Sequence, residues 1–251
     1  MPETDIVLHI ESDFEGMRKA GRLAARTLDF ITPFVKPGIS TNELDRLCHV
    51  FIIDQGGIPA PLGYKGYPKS ICTSVNHVVC HGIPGDDLLM AGGIVNIDVT
   101  VIVDGWHGDV SRMFALQPLT LRAQKLVDVT RSALDQAIAC VRPGTTLGDI
   151  GHAIQSWVEK FGFSVVRDYC GHGIGRVFHS KPAVMHYGQL GAGLVLQPGM
   201  FFTIEPMINA CRQETRLLSD GWTVVTRDRS LSAQFEHTIG VTHSGCEVFT
   251  V

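Results

Sequence analysis

The chain has 251 residues, 45% hydrophobic and 18% charged, an ordinary soluble globular balance. A formal net charge of −4 argues against DNA or an anionic membrane as partner, and no apolar run reaches the about 18 residues that span a bilayer. Seven cysteines without a C-x-x-C pair fit free thiols in a reducing compartment, and the charged N-terminus reads as neither signal nor transit peptide, so the expected setting is the cytoplasm.

The first predicted element is a helix. Ser12 is its expected N-cap, and Phe14, Met17, Gly21, Ala24, Leu28 and Ile31 recur at helical spacing. Pro33, Pro37 and Gly38 break it. Ser40 with Glu43 forms a capping-box signature for a second helix carrying Leu44, Leu47, Val50 and Phe51, which Gly56 and Gly57 end. Three β-rich segments follow: "SICTSV" at 70–75, "GIVNIDVTVIV" at 93–103 and "WHGDVSRMF" at 106–114.

The last two segments predict a hairpin with a buried acid. Strand side chains alternate faces. Val95, Ile97, Val99, Val101 and Val103 share one face; Asn96, Asp98, Thr100 and Ile102 share the other. Asp104-Gly105 is a two-residue hairpin signal, which pairs residue 103 with 106 and Thr100 with Asp109. Asp109 then lies diagonal to Asp98 on one face, about 7–8 Å away at the backbone. Two acids this close need a shared cation, or one must stay protonated.

The plan then restarts. A helix is expected over about 121–141, and "VRPGTTLGDI" repeats "VKPGISTNEL" at a shift of 106 (143 − 37). Glu43 matches Asp149, and Leu44 matches Ile150. At a shift of 107 (205 − 98), "GMFFTIE" repeats "GGIVNID", and Glu205 falls on Asp98. This predicts two related α+β halves, roughly 1–118 and 119–251, around a pseudo-twofold axis. In the second half Phe201, Thr203 and Glu205 share a strand face, as do Gln234, Glu236 and Thr238. Any one buried acid alone is more readily a paired or hydrogen-bonded core carboxylate. Four, two from each half, point to an oxygen-rich site for Mn, Fe(II), Co or Zn, and two metals would explain their crowding.

His172 and His179 stand in the glycine-rich "YCGHGIGRVFH", where backbone can approach a ligand closely, and His81 stands in "VVCHGIP". His9, His49, His77, His107, His152, His186, His237 and His243 read as satisfied core or surface residues. Cys72, Cys80 and Cys170 read as small buried thiols, because no Cys–His–Asn pattern accompanies them.

"NIDVTVIVDGWHGD", "CGHGIGRVFH", "FTIEPM", "DGWTVVTRDRSLSAQFEHTI" and "CHGIP" occur in order within roughly 13–250 and resemble the signature blocks of the type I methionine aminopeptidases. The resemblance implies the pita-bread fold: α+β, two pseudo-twofold halves, and a central antiparallel sheet covered by helices, here one catalytic domain over 1–251. It implies that Asp98, Asp109, His172, Glu205 and Glu236 hold two divalent metals (Co, Mn, Fe(II), Zn or Ni), with Asp109 and Glu236 bridging. A water held there would attack the carbonyl after the first methionine, with Glu205 as general base, His179 stabilising the tetrahedral oxygen and His81 near the scissile nitrogen. Tyr64, Tyr67, Cys72, Phe178 and Trp222, together with His81 and His179, would bind substrate. Backbone groups near Asn76, Val78 and Ser232 match a structural monovalent-cation site of some members.

Type II enzymes insert a helical subdomain between the last two acidic ligands, and Glu205 and Glu236 are only 31 apart (236 − 205), so type I fits. The implied substrates are nascent N-termini with a small second residue. The implied setting is a cytoplasmic monomer in transient contact with the ribosome, with no DNA or membrane partner. His77, Gly85, Pro61, Val177 and Lys181 depart from the usual pattern without touching a ligand position. The rivals are an Xaa-Pro aminopeptidase or prolidase, which usually carries a large additional N-terminal domain, and a non-catalytic binding protein on the same fold, which lost ligands would mark.

Overall fold

The structure, a computed structural model, describes residues 6–251; residues 1–5, where the reading of the N-terminus begins, lie outside the described residues. Helix α1 spans Glu11–Ile31 and buries Phe14, Met17, Gly21, Ala24, Leu28 and Ile31 on one face, as their spacing predicts. Its N-cap is Ile10 rather than Ser12. The reason is tertiary. His9 stacks on Phe201 at 4.2 Å between ring centroids and donates its N–H to the Gly199 carbonyl at 2.8 Å, which fixes where the chain enters the helix. Ile10 has no side-chain acceptor, so Asp13 takes over part of the role by accepting the Ile10 N–H at 3.2 Å.

Helix α2 spans Thr41–Asp54, and the Ser40 hydroxyl accepts the Glu43 N–H at 3.2 Å. The Glu43 carboxylate turns instead to Arg46, at 2.7 and 2.8 Å. Leu44, Cys48 and Ile52 form its buried stripe, while Val50 is exposed. Helix α3 spans Leu121–Cys140 and helix α4 Leu147–Glu159. Thr146 caps α4 with a reciprocated box: its hydroxyl accepts the Asp149 N–H at 3.2 Å, and the Asp149 carboxylate accepts the Thr146 N–H at 2.8 Å. Ser40 and Thr146 are 106 apart (146 − 40), so the repeat extends to the caps.

Each helix pair covers its own sheet. The Ile94–Val103 strand pairs antiparallel with Trp106–Ala115, in the register that joins Val103 to Trp106 and Thr100 to Asp109. Asp104 and Gly105 make the turn with φ of 51° and 80°. Ile58–Pro59 and Cys72–Val75 pair along the other edge of Ile94–Val103. Ile97, Val99 and Val101 pack against Leu28, Ile31, Leu44 and Ile52 of α1 and α2. In the second half an antiparallel sheet runs in the order Cys246–Val248, His237–Val241, Phe201–Ile204, Gly171–Gly173, Ser180–Val184. Phe202, Ile204 and Ile239 pack under Leu126, Leu134, Ile150 and Ile154 of α3 and α4. Each such large side chain, fully buried, contributes about 1.5–3 kcal/mol. The faces opposite the carboxylates therefore anchor the strands that carry them.

The two sheets meet at a bridge between Ser111 and Glu236, where the Glu236 N–H reaches the Ser111 carbonyl at 3.1 Å. The Asn96 amide crosses the same seam to the Gln234 carbonyl at 2.8 Å. A small cluster of Phe14, Met17, Trp106, Phe201 and Phe249 closes one end of the seam. Among the described residues no helix is long and apolar enough to cross a membrane.

Candidate metal centre

The polar faces of the two sheets converge on a cavity of about 350 Å³ whose wall includes Asp98, Asp109, His172, Glu205 and Glu236. One ligand atom each from Asp109, His172 and Glu236 lies within 4.8 Å of the others. His172 Nε2 is 3.7 Å from Asp109 Oδ2 and 3.7 Å from Glu205 Oε1. Asp98 enters from the Ile94–Val103 strand and faces the same cavity.

Asp98 and Asp109 sit within long strands. Asp109 is only 4% exposed. Thr100 donates to its Oδ1 at 2.7 Å, its N–H reaches Thr238 Oγ1 at 3.1 Å, and the Thr238 hydroxyl donates to its carbonyl at 2.8 Å. Glu205 and Glu236, expected inside strands, lie outside them: Glu205 just beyond the end of Phe201–Ile204, and Glu236 in the two-residue break between Ser232–Gln234 and His237–Val241. Pro206 follows Glu205 and has no N–H for a ladder. The Glu205 carboxylate is aimed by side chains, with Thr203 donating to Oε1 at 2.8 Å and Gln234 to Oε2 at 3.3 Å.

His172 is held by two hydrogen bonds. Its N–H reaches Thr203 Oγ1 at 3.0 Å, and Nδ1 donates to the Gly173 carbonyl at 3.1 Å. That bond assigns the proton to Nδ1 and leaves Nε2 with a free lone pair facing the acids. A Cβ at Gly171 would collide with the Thr203 carbonyl, and one at Gly173 with the Lys181 carbonyl. The flanking glycines therefore let the neighbouring strands close on His172.

Burial raises all four carboxyls. In Asp109 and Glu236 the neighbouring carboxylates add to burial and push them well above the ordinary range; Asp98 and Glu205 are raised mainly by burial. Burial lowers His172 to about 4. The chemistry of this donor set fits divalent cations: four crowded carboxylates that cannot all ionise unaided, and one neutral imidazole with an open nitrogen.

One end of the cavity is aromatic. Tyr64, Tyr67, Cys72, Phe178 and Trp222 line it. Tyr67 and Trp222 meet edge-to-face at 5.1 Å, and Tyr64 lies 4.9 Å from Phe178. The Tyr67 hydroxyl is tied back, 3.1 Å from the carbonyls of Ile71 and Gly82, so its ring rather than its polar tip faces the space. His81 and His179 stand between this end and the acids. His81 holds φ at 56°, a left-handed conformation costing a residue with a Cβ about 1–2 kcal/mol, and its ring lies 6.2 Å from that of Trp222. His179 lies 4.1 Å from both His172 and Phe178, ring to ring. Desolvation lowers both His81 and His179, which favours neutral rings with one donor nitrogen each.

All twelve site residues singled out in the sequence thus line one cavity, with Pro61 at its edge. Lys65, Cys80, Asp168, Tyr169, Cys170 and Met207 also line it. Tyr169 and Cys170 precede His172 by three and two residues, and Met207 follows Glu205 by two; closeness along the chain was their only signal. His186, read among the satisfied core or surface histidines, is fully buried and accepts the Glu205 N–H at 3.2 Å.

A model of metallopeptidase family M24 matches residues 15–243. The chain is similar to the methionine aminopeptidase of Rickettsia prowazekii, 62% identical over 247 residues, covering 98% of this chain and 95% of the relative. It is 57% identical over 248 residues to the methionine aminopeptidase of Escherichia coli K12, covering 98% and 94%. The crystal structure of the Rickettsia prowazekii enzyme superposes with a TM-score of 0.97, covering 98% of this chain and 100% of that one. The prolidase of Pyrococcus furiosus, 18% identical with a TM-score of 0.78, covers 98% of this chain and 65% of its own; it shares the fold.

Proposed function

The chain belongs to metallopeptidase family M24, with that family's pita-bread fold, and we propose that it removes the first methionine from peptides and nascent proteins whose second residue is small. The observation that carries this reading is the joining of an aromatic, thiol-lined pocket to a cluster of four buried carboxylates and one imidazole in a single cavity. The near-full-length identity to two methionine aminopeptidases supports it.

Asp98, Asp109, His172, Glu205 and Glu236 are the proposed ligands of two divalent ions from among Co, Mn, Fe(II), Zn and Ni, with Asp109 and Glu236 shared. When bound, such ions supply Lewis-acid polarisation of the scissile carbonyl and bring the pKa of water near neutrality. The residues do the rest. The aromatic walls take up the unbranched thioether side chain. Glu205 accepts the proton of the attacking water on its carboxylate and returns it to the leaving nitrogen. His179 donates a hydrogen bond to the carbonyl oxygen as negative charge grows there. His81 holds the scissile nitrogen in line.

The chain is further read as one catalytic domain with halves at about 1–118 and 119–251, each with its own helix pair and a shared seam. A monovalent cation near Asn76, Val78 and Ser232 is supported by the closeness of those segments, with the Ser232 N–H 2.9 Å from the Asn76 carbonyl. A cytoplasmic monomer in transient contact with the ribosome completes the reading; the exposed Arg212, Arg216, Arg227 and Arg229 offer charge for such a contact.

The test titrates each metal into apoprotein and compares Met-Ala-Ser with Ala-Pro peptides. Methionine release from Met-Ala-Ser is expected. No release with any of the five metals would overturn the proposal.

A further inference from the structure

His186 stands just past the Ser180–Val184 strand, fully buried, and no step above uses it. Its Nε2 lies 3.2 Å from the Glu205 main-chain N–H and accepts from it, so the ring proton sits on Nδ1. Among the described residues that Nδ1 has no partner. A buried donor left unpaired costs free energy, and a leucine of similar bulk would avoid the cost. What leucine cannot supply is the acceptor.

That acceptor is needed at this point. The Phe201–Ile204 strand ends at the residue before Glu205, so the Glu205 N–H leaves the ladder inside the protein, where an orphaned amide is costly. Thr203 and Gln234 aim the far end of the Glu205 side chain. His186 secures its near end. We infer that His186 is a positioning residue that anchors the Glu205 main chain where its strand stops, and so sets where the carboxylate meets the metal centre. This deepens the reading of Glu205 as ligand and base, and rests on it.

The experiment compares His186→Leu, His186→Gln and the unaltered full-length protein. His186→Leu should fold, bind Mn(II) at least about tenfold more weakly by calorimetry on the apoprotein, and lose a similar factor in kcat on Met-Ala-Ser with KM nearly unchanged. His186→Gln, whose amide oxygen can replace Nε2 as acceptor, should recover most of both. A residue that only fills space would lower thermal stability and leave both quantities alone, so wild-type Mn(II) affinity and kcat in His186→Leu would overturn the inference. Should His186→Leu fail to fold, nitrogen NMR of the wild-type imidazole decides. A protonated Nδ1 with bare Nε2 supports the anchor; a protonated Nε2 rules it out. The NMR measurement needs no metal or substrate, so it separates a failure here from a failure of the functional reading.

Discussion

The two halves deliver their acids to one cavity by different means. In the first half Asp98 and Asp109 ride on a regular ten-by-ten-residue hairpin, and the backbone ladder fixes them. In the second half Glu205 stands where its strand has just ended and Glu236 in a two-residue break between two strands, and Thr203, Gln234, His186 and the Ser111 bridge hold them. A ladder places a side chain through many shared bonds, so no single contact is decisive. A strand end relies on a few specific partners, and each matters more. Related halves can therefore carry equivalent acids with unequal tolerance to change.

The largest expected effect is at Asp109, the ladder-held acid proposed as a shared ligand. Asp109→Asn removes a charge but leaves the hairpin register and the Thr238 contacts, so the protein should fold while methionine release falls by at least about a hundredfold. Substantial activity in that variant would break the assignment of Asp109 as a shared ligand.

Metal removal tests whether both halves bury their acids at comparable cost. Burial raises Asp98 to about 7 and Glu205 to about 8, with Asp109 and Glu236 pushed well above the ordinary range. The folded apoprotein then holds protons that the unfolded chain has released, so stability declines as pH rises through those values. His172 and His186, lowered to about 4 and about 3, act in the opposite sense, but only below their ordinary 6.5. Between pH 6.5 and 8 the carboxylates dominate, and urea unfolding should show a loss on the order of a few kcal/mol that saturating metal abolishes. A flat apoprotein profile would contradict the burial argument.

The hydroxyl pair sharpens the contrast most directly. Thr203→Val deprives Glu205 of a donor and the His172 N–H of its acceptor, and should weaken metal binding about tenfold. Thr100→Val removes one bond to an acid that the ladder already places, and should cost less. Equal losses would mean that the ladder adds nothing.

Helix caps give the smallest effects. Thr146→Ala loses a reciprocated box and should cost about 1–2 kcal/mol, Ser40→Ala about 1 kcal/mol, and Ser12→Ala within about 0.5 kcal/mol, all by denaturant unfolding.

The hairpin was legible because two signals agreed: period-two alternation from Val95 to Val103 and the Asp104-Gly105 turn. The meeting of Asp98 with Glu205 was legible because the repeat runs through both. What was hidden depends on tertiary contact. Ser12 has the chemistry of a cap, but the entry angle of α1 is set by His9 against Phe201, a partner 192 residues away (201 − 9). Pro206 carried the signal that Glu205 ends a strand, outweighed there by the apolar run before it. His186 had no pattern to betray it, since its partner is a main-chain amide that almost any residue type could present.

The Ser111–Glu236 bridge has a consequence for the order of assembly. It joins residues 125 apart (236 − 111), and the cavity draws its carboxylates from positions 98 to 236. During synthesis the first-half hairpin can form as soon as it emerges, but its two acids must then wait, crowded and uncompensated, until residue 236 has been made. Over that interval a nascent chain would expose a half-built, negatively charged face, and the finished site would appear late and all at once.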